Sequence, residues 1–230
     1  MNEVYYKIMI SLIICIPLTL AWIQSRKKLR DSTLEDKLNY LRLLKLNPGC
    51  NFLVESQLKR NLIESDFKDC YIIELAESIC SHLKISGIEM KISRSDTFSF
   101  IQSGKAGYYE RINDDESVIY IDIKQHYNIN HLVGIISHEA VHHLLRYNSY
   151  SDELLENEEF IDVAAVYFGF GQYLLKAYEP MERILGEKWI KHRRVIRKEI
   201  SVLGYLSVNE IEYAVNRVYE IRLFKYLGWE

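Results

Sequence analysis

Residues 117–145, SVIYIDIKQHYNINHLVGIISHEAVHHLL, change their hydrophobic period part-way along. In SVIYIDIK, Ile119, Ile121 and Ile123 alternate with their neighbours, the period of a strand that buries one face. From about Asn130 the chain reads as helix to residue 147, and His138, Glu139, His142 and His143 fall within six positions of an otherwise apolar stretch. A strand that leads directly into a histidine-bearing helix predicts an α+β plan, with a small sheet followed by helices.

The flanking sequence extends this plan in both directions. Upstream, IEMKIS alternates through Ile88, Met90 and Ile92, and GYYERIN is a possible further strand, so two to four strands are expected. Before them, helices are expected at about 66–83, ending near Gly87, and at 33–46, where Leu34, Leu38, Leu41, Leu44 and Leu46 form a stripe that Asn47-Pro48-Gly49 terminates. The latter reads as a connector or docking helix. Downstream, helices are expected at about 153–178, 181–202 and 207–226, with Asp152 and Ser207 as N-caps.

Composition narrows the function classes. A chain of 230 residues holds one well-buried domain and an appendage. With Lys+Arg 29 against Asp+Glu 32, the net charge of −3 supplies no global basic field, so nucleic acid is not an expected partner. The basic stretch at residues 187–199, EKWIKHRRVIRKE, reads as a solvated helix face, or as a face lying against anionic lipid head groups. Cys15, Cys50, Cys70 and Cys80 form no C-x-x-C pair, which argues against a disulfide framework and a thiolate zinc knuckle and places the domain in a reducing compartment.

Residues 4–23, VYYKIMISLIICIPLTLAWI, carry one charge, Lys7, over a length that spans a bilayer's hydrocarbon core. No small-x-small cleavage site follows, and the positive charges Arg26, Lys27, Lys28 and Arg30 come after the run, so it reads as an anchor and not as a cleaved signal peptide. By the positive-inside rule the N-terminus faces out and the remaining chain faces the cytoplasm. The expected organisation is an anchor at 1–25, a juxtamembrane connector at 26–60 and the functional domain at 61–230.

His138 and His142 stand at i and i+4, so their imidazoles can converge on one ion. Glu139 points to the rim of the same face, as a general base for a water in an open coordination position. His143 is turned about 100° away and cannot share that ion. A catalytic zinc wants a third protein ligand, and ENEEFIDVAAVYFGFG, residues 156–171, offers Glu158 one turn ahead of Asp162. Glu158 can ligate while Asp162 accepts the free N–H of one histidine. Glu159 competes for the ligand role if the helix starts in another register. His131 reads as a helix-start or solvent residue, and His82, His126 and His192 as structural.

HEAVH followed by NEEFID resembles the gluzincin metallopeptidases, the thermolysin-like clan, whose pattern is H-E-x-x-H and then N-E-x-x-x-D on a second helix. The similarity is closer to minimal bacterial members, several of which run from the acidic pair into a Gly-aromatic-Gly sequence. The matching motifs span about 40 residues, Ile135 to Gly171, with weaker similarity in LGYLSVNEIEYAVN, and the interval from His142 to Glu158 is shorter than in the large peptidases. The resemblance implies a zincin-like domain holding Zn²⁺, with His138, His142 and Glu158 as ligands, Glu139 as base and Asp162 behind a ligand.

The expected activity is hydrolysis of a protein or peptide substrate with a zinc-activated water. A strand edge, GYYERIN or SVIYIDIK, would present the peptide. Tyr205 and Tyr213 are candidate donors to the oxyanion. The alternative is a non-catalytic zincin-like interaction or sensor domain, against which an intact Glu139 argues. Oligomeric state has no signature in these residues.

Overall fold

The computed structural model describes residues 34–44, 46–94, 106–113, 116–124, 127–148, 155–179, 181–190, 193–201 and 203–228. The apolar run at 4–23, its basic flank, Asp152, His126 and His192 lie outside the described residues. Among the described residues, no helix is long and apolar enough to cross a membrane.

The expected α+β plan is present. Three strands, β1 (Ile88–Ser93), β2 (Gly107–Arg111) and β3 (Ser117–Asp122), form a sheet in the order β1-β3-β2. The central strand β3 runs parallel to β1, with Ile88 opposite Ser117, and antiparallel to β2, with Gly107 opposite Ile121. Its position explains why five of its six residues are buried, whereas β1 keeps the alternation of a strand with one covered face.

Helix α1 (34–43) precedes α2 (Ser56–Glu64) and α3 (Asp69–Leu83). Leu34, Leu38 and Leu41 of α1, with Leu58 and Leu62 of α2, belong to the same core cluster as the rest of the molecule. The leucine stripe therefore docks: its apolar face is removed from water by the domain that follows it in sequence. Helix α3 stops at Lys84, which takes a left-handed conformation at φ 58°, three residues earlier than Gly87.

The histidine helix α4 (Ile129–Tyr147) crosses the core. From His131 to Leu145 every residue except His142 is buried. A helix covered on nearly all sides must be apolar nearly all round, which is why its polar residues stand out. Asn128 caps it: its side chain accepts from the backbone N–H of Asn130 at 2.8 Å and His131 at 3.3 Å, and His131 Nδ1 accepts from the Asn128 N–H at 2.9 Å. His131 is thus a buried helix-start residue.

The single helix expected at 153–178 is divided. Helix α5 (Glu158–Ala165) begins with Asn157 as N-cap, its side chain accepting from the Phe160 N–H. A kinked turn, Val166–Phe170, follows and leads into α6 (Gly171–Ala177). The break is set by Gly169, at φ 106° and ψ 7°, where an added Cβ would lie 1.9 Å from the carbonyl oxygen of Cys50. Carbonyls released by the turn find partners outside the helix. Tyr167 O accepts from the Gly49 N–H, Gly169 O from the Phe52 N–H, and Phe168 O from His82 Nε2 at 2.8 Å. His82 is structural, as expected.

The helix expected at 181–202 is instead a hairpin, β4 (Met181–Ile190) paired antiparallel with β5 (Arg193–Ser201). Gly186 weakens a helix there, and the β-branched Ile184, Ile190, Val195, Ile196 and Ile200 favour extended chain. A register shift between Ile184 and Gly186, which pair with Lys198 and Arg197, puts a bulge next to that glycine. The last helix, α7 (Val208–Tyr226), starts at the expected Ser207, which forms a reciprocal capping box with Glu210.

Candidate metal centre

Helix α4 packs against β2 and β3 on one side and against α3, α5 and α6 on others. Its His138 and His142, one turn apart, face the N-terminal end of α5. There Glu158 Oε2 lies 3.0 Å from His138 Nε2 and 3.1 Å from His142 Nε2. The three ligand atoms lie within 4.8 Å of one another, a grouping that could hold a metal ion.

The donor set fits such an ion. Donors around a tetrahedral metal with bonds of about 2.05 Å stand about 3.4 Å apart, so these distances need open by only a few tenths of an ångström. The tautomer is also set. His138 Nδ1 donates to Asp162 Oδ1 at 2.7 Å, leaving Nε2 to face Glu158 and His142. The aromatic walls restrict both rings: Tyr205 stacks on His138 at 5.7 Å between centroids, and Tyr109 on His142 at 6.2 Å.

Asp162 is fully buried and collects four donors. Besides His138, these are the Tyr178 hydroxyl at 2.6 Å and the backbone N–H groups of Tyr205 at 2.9 Å and Leu206 at 3.3 Å. One carboxylate therefore ties α4, α5, the end of α6 and the loop that leads into α7. Tyr178 was not singled out by sequence. It is one of seventeen tyrosines, and no local spacing links it to Asp162. Burial, with the Asp162 charge beside it, drives its phenol pKa well up, so it acts as a hydrogen-bond donor.

Burial disfavours the charged imidazolium of His138, but hydrogen bonds to Asp162 and Glu158 outweigh it and raise its pKa to about 10. In the metal-free protein a proton thus holds the cluster together at neutral pH, and a metal ion must displace it from Nε2. Binding at pH 7.5 is expected to release about one proton, with affinity falling about tenfold for each pH unit lowered. Titration calorimetry in buffers of different ionisation enthalpy measures this. Because the folded pKa exceeds the ordinary 6.5, the stabilisation His138 gives the metal-free fold is full below about 6.5 and lost as pH rises towards about 10.

Glu139 is buried and lines a cavity of about 360 Å³ together with His138, His142, Glu158 and Tyr205. The opposite wall is the start of β2. Gly107 approaches so closely that a Cβ would lie 2.7 Å from Glu139 Oε1 and 2.7 Å from Ile135. Within the sheet β2 is an edge strand and β3 is central, so of the two candidate strands GYYERIN is the one at an edge facing the site.

The remaining candidates separate clearly. His143 turns away, as expected: its Nε2 donates to Ser86 O at 3.2 Å, and Nδ1 meets Ser117 Oγ at 3.1 Å and Tyr109 OH at 3.3 Å. Burial holds it below the ordinary histidine range. Glu159 is not at the histidines; its Oε2 bonds Lys37 Nζ at 2.7 Å. Tyr205 lines the cavity, while Tyr213 is committed to Glu35 on α1, at 3.0 Å, and does not line it. Comparison with protein-family models, with curated proteins and with solved structures gives no match for this chain.

Proposed function

We propose that this chain is a zinc-dependent peptidase, anchored in the membrane through residues 4–23, with its zincin-like domain in the cytoplasm. The observation that carries the reading is a buried base, Glu139, on the same cavity wall as the His138, His142 and Glu158 ligand atoms. A purely structural metal site is closed by four ligands and has no use for a carboxylic base beside it. Two neutral nitrogens and one carboxylate suit zinc, which keeps a fourth position open in catalytic sites. Zinc, when bound, would supply Lewis-acid polarisation of the substrate carbonyl and lower the pKa of a water molecule.

The chain's own residues do the rest. His138, His142 and Glu158 hold the ion. Glu139 takes a proton from the attacking water on its carboxylate and delivers it to the leaving amine, so that its protonation state is restored after each turnover. Asp162 keeps the His138 Nδ1 proton in place and so maintains the Nε2 lone pair. An extended peptide adding to β2 would run along the cavity through backbone hydrogen bonds, with Gly107 allowing approach to Glu139. Tyr205, which stacks on His138 and lines the cavity, is the candidate donor to the oxyanion that would form at the attacked carbonyl.

The test is a peptide library incubated with the zinc-loaded full-length chain and read by mass spectrometry. New peptide termini that disappear on chelation and return on adding zinc are expected. Stoichiometric zinc binding with no metal-dependent cleavage would favour the interaction or sensor domain.

A further inference from the structure

From the contacts of the acidic pair Glu158-Glu159 we infer that Lys37, from helix α1, is a positioning residue for the metal centre. It clamps Glu159 and so braces the first turn of the ligand helix α5. The proposal rests on the zinc reading of the site and adds a contact that keeps Glu159 away from the histidines and Glu158 at them.

Lys37 lies 122 residues before its partner, and the two meet at 2.7 Å. Its side chain is only 9% exposed, whereas that of Glu159 is 56% exposed. A lysine seldom surrenders its hydration unless a partner receives the ammonium, and an apolar residue at this place in α1 would fill the space at less cost. The base from which it reaches is fixed. Leu34, Leu38 and Leu41 are in the core, and Glu35 accepts from Arg217 Nη2 at 2.6 Å and Nε at 3.0 Å, tying α1 to α7. Lys37 therefore presents its ammonium from a braced helix.

At the other end of the pair, Glu158 and Glu159 are the first two residues of α5. Consecutive helical residues point about 100° apart, so one carboxylate faces the histidines when the other faces α1. Turning α5 by that angle would withdraw Glu158 and bring Glu159 towards the ion. The Lys37–Glu159 bond opposes the turn. The Asp162 network and the buried residues 160–165 hold the body of this eight-residue helix, and the Lys37 tie acts on its first turn, where the ligand is carried.

The test is a double-mutant cycle on the full-length chain in detergent, reading zinc affinity by competition with a chromophoric chelator beside thermal unfolding. Lys37→Met and Glu159→Ala are each expected to weaken zinc binding about tenfold, the double variant no further, and Lys37→Arg to stay near wild type. If a single variant fails to fold, the double variant, which leaves no buried charge without its partner, must still show the tenfold loss. Unchanged zinc affinity in a folded Lys37→Met or double variant, or losses that multiply, would overturn the proposal and leave an ordinary stabilising ion pair. A wild-type chain that binds no zinc would instead overturn the metal-centre reading itself.

Discussion

Glu139→Gln is expected to keep about one zinc per chain while hydrolysis falls by about 10²- to 10⁴-fold, the range that a positioned general base contributes. The substitution changes little else. Gln is isosteric with Glu, the side chain lines the cavity without contributing to the metal-ligand group, and the backbone of α4 is unaffected. Retained zinc with lost turnover separates base from ligand. Loss of zinc in this variant would show that Glu139 helps to hold the ion, and undiminished turnover would remove it from the mechanism. Metal analysis and cleavage kinetics on the same preparation decide between these outcomes.

Asp162→Ala carries the largest expected cost in stability. The carboxylate is fully buried and receives His138, Tyr178 and two backbone N–H groups, so its removal leaves four donors, most of them buried, without their acceptor. Breaking a buried charged network in this way costs about 3–5 kcal/mol. Zinc affinity should fall as well, by about 10- to 100-fold, because the His138 tautomer is no longer held. Chemical denaturation of the metal-free variant isolates the first effect and chelator competition the second. A change below about 1 kcal/mol would mean that the contacts of Asp162 are replaced by water at little cost.

Much of this organisation is legible in the chain. The alternation in IEMKIS marks β1, which covers one face, the β-branched residues of SVIYIDIK mark β3 although its central place buries nearly all of it, and the i, i+4 histidines mark one side of α4 because helical geometry leaves them no other arrangement. Asp162 is legible for the same reason, one helical turn beyond Glu158. The choice between Glu158 and its competitor Glu159 is less so, since the Lys37 that occupies Glu159 lies 122 residues away in the chain. Tyr178 and Tyr109 likewise acquire their places through contacts that no local spacing encodes.

The hairpin at 181–201 was hidden for a different reason. Its charged and apolar residues interleave in a way compatible with either period, and the sequence between its two strands contains none of the Gly, Asn or Asp residues that ordinarily announce a two-residue connection. The kink between α5 and α6 was hidden by the small, apolar run that contains it. In VAAVYFGFG only the close passage of residues 49–52 explains why Gly169 interrupts the helix.

The account depends most directly on whether His138, His142 and Glu158 hold an ion. The decisive measurement is the zinc content of the purified full-length chain after metal loading and removal of excess, beside His142→Ala. About one zinc per wild-type chain, lost in the variant, is the predicted result. A wild-type chain that retains no zinc, or a His142→Ala variant that retains it in full, would contradict the account.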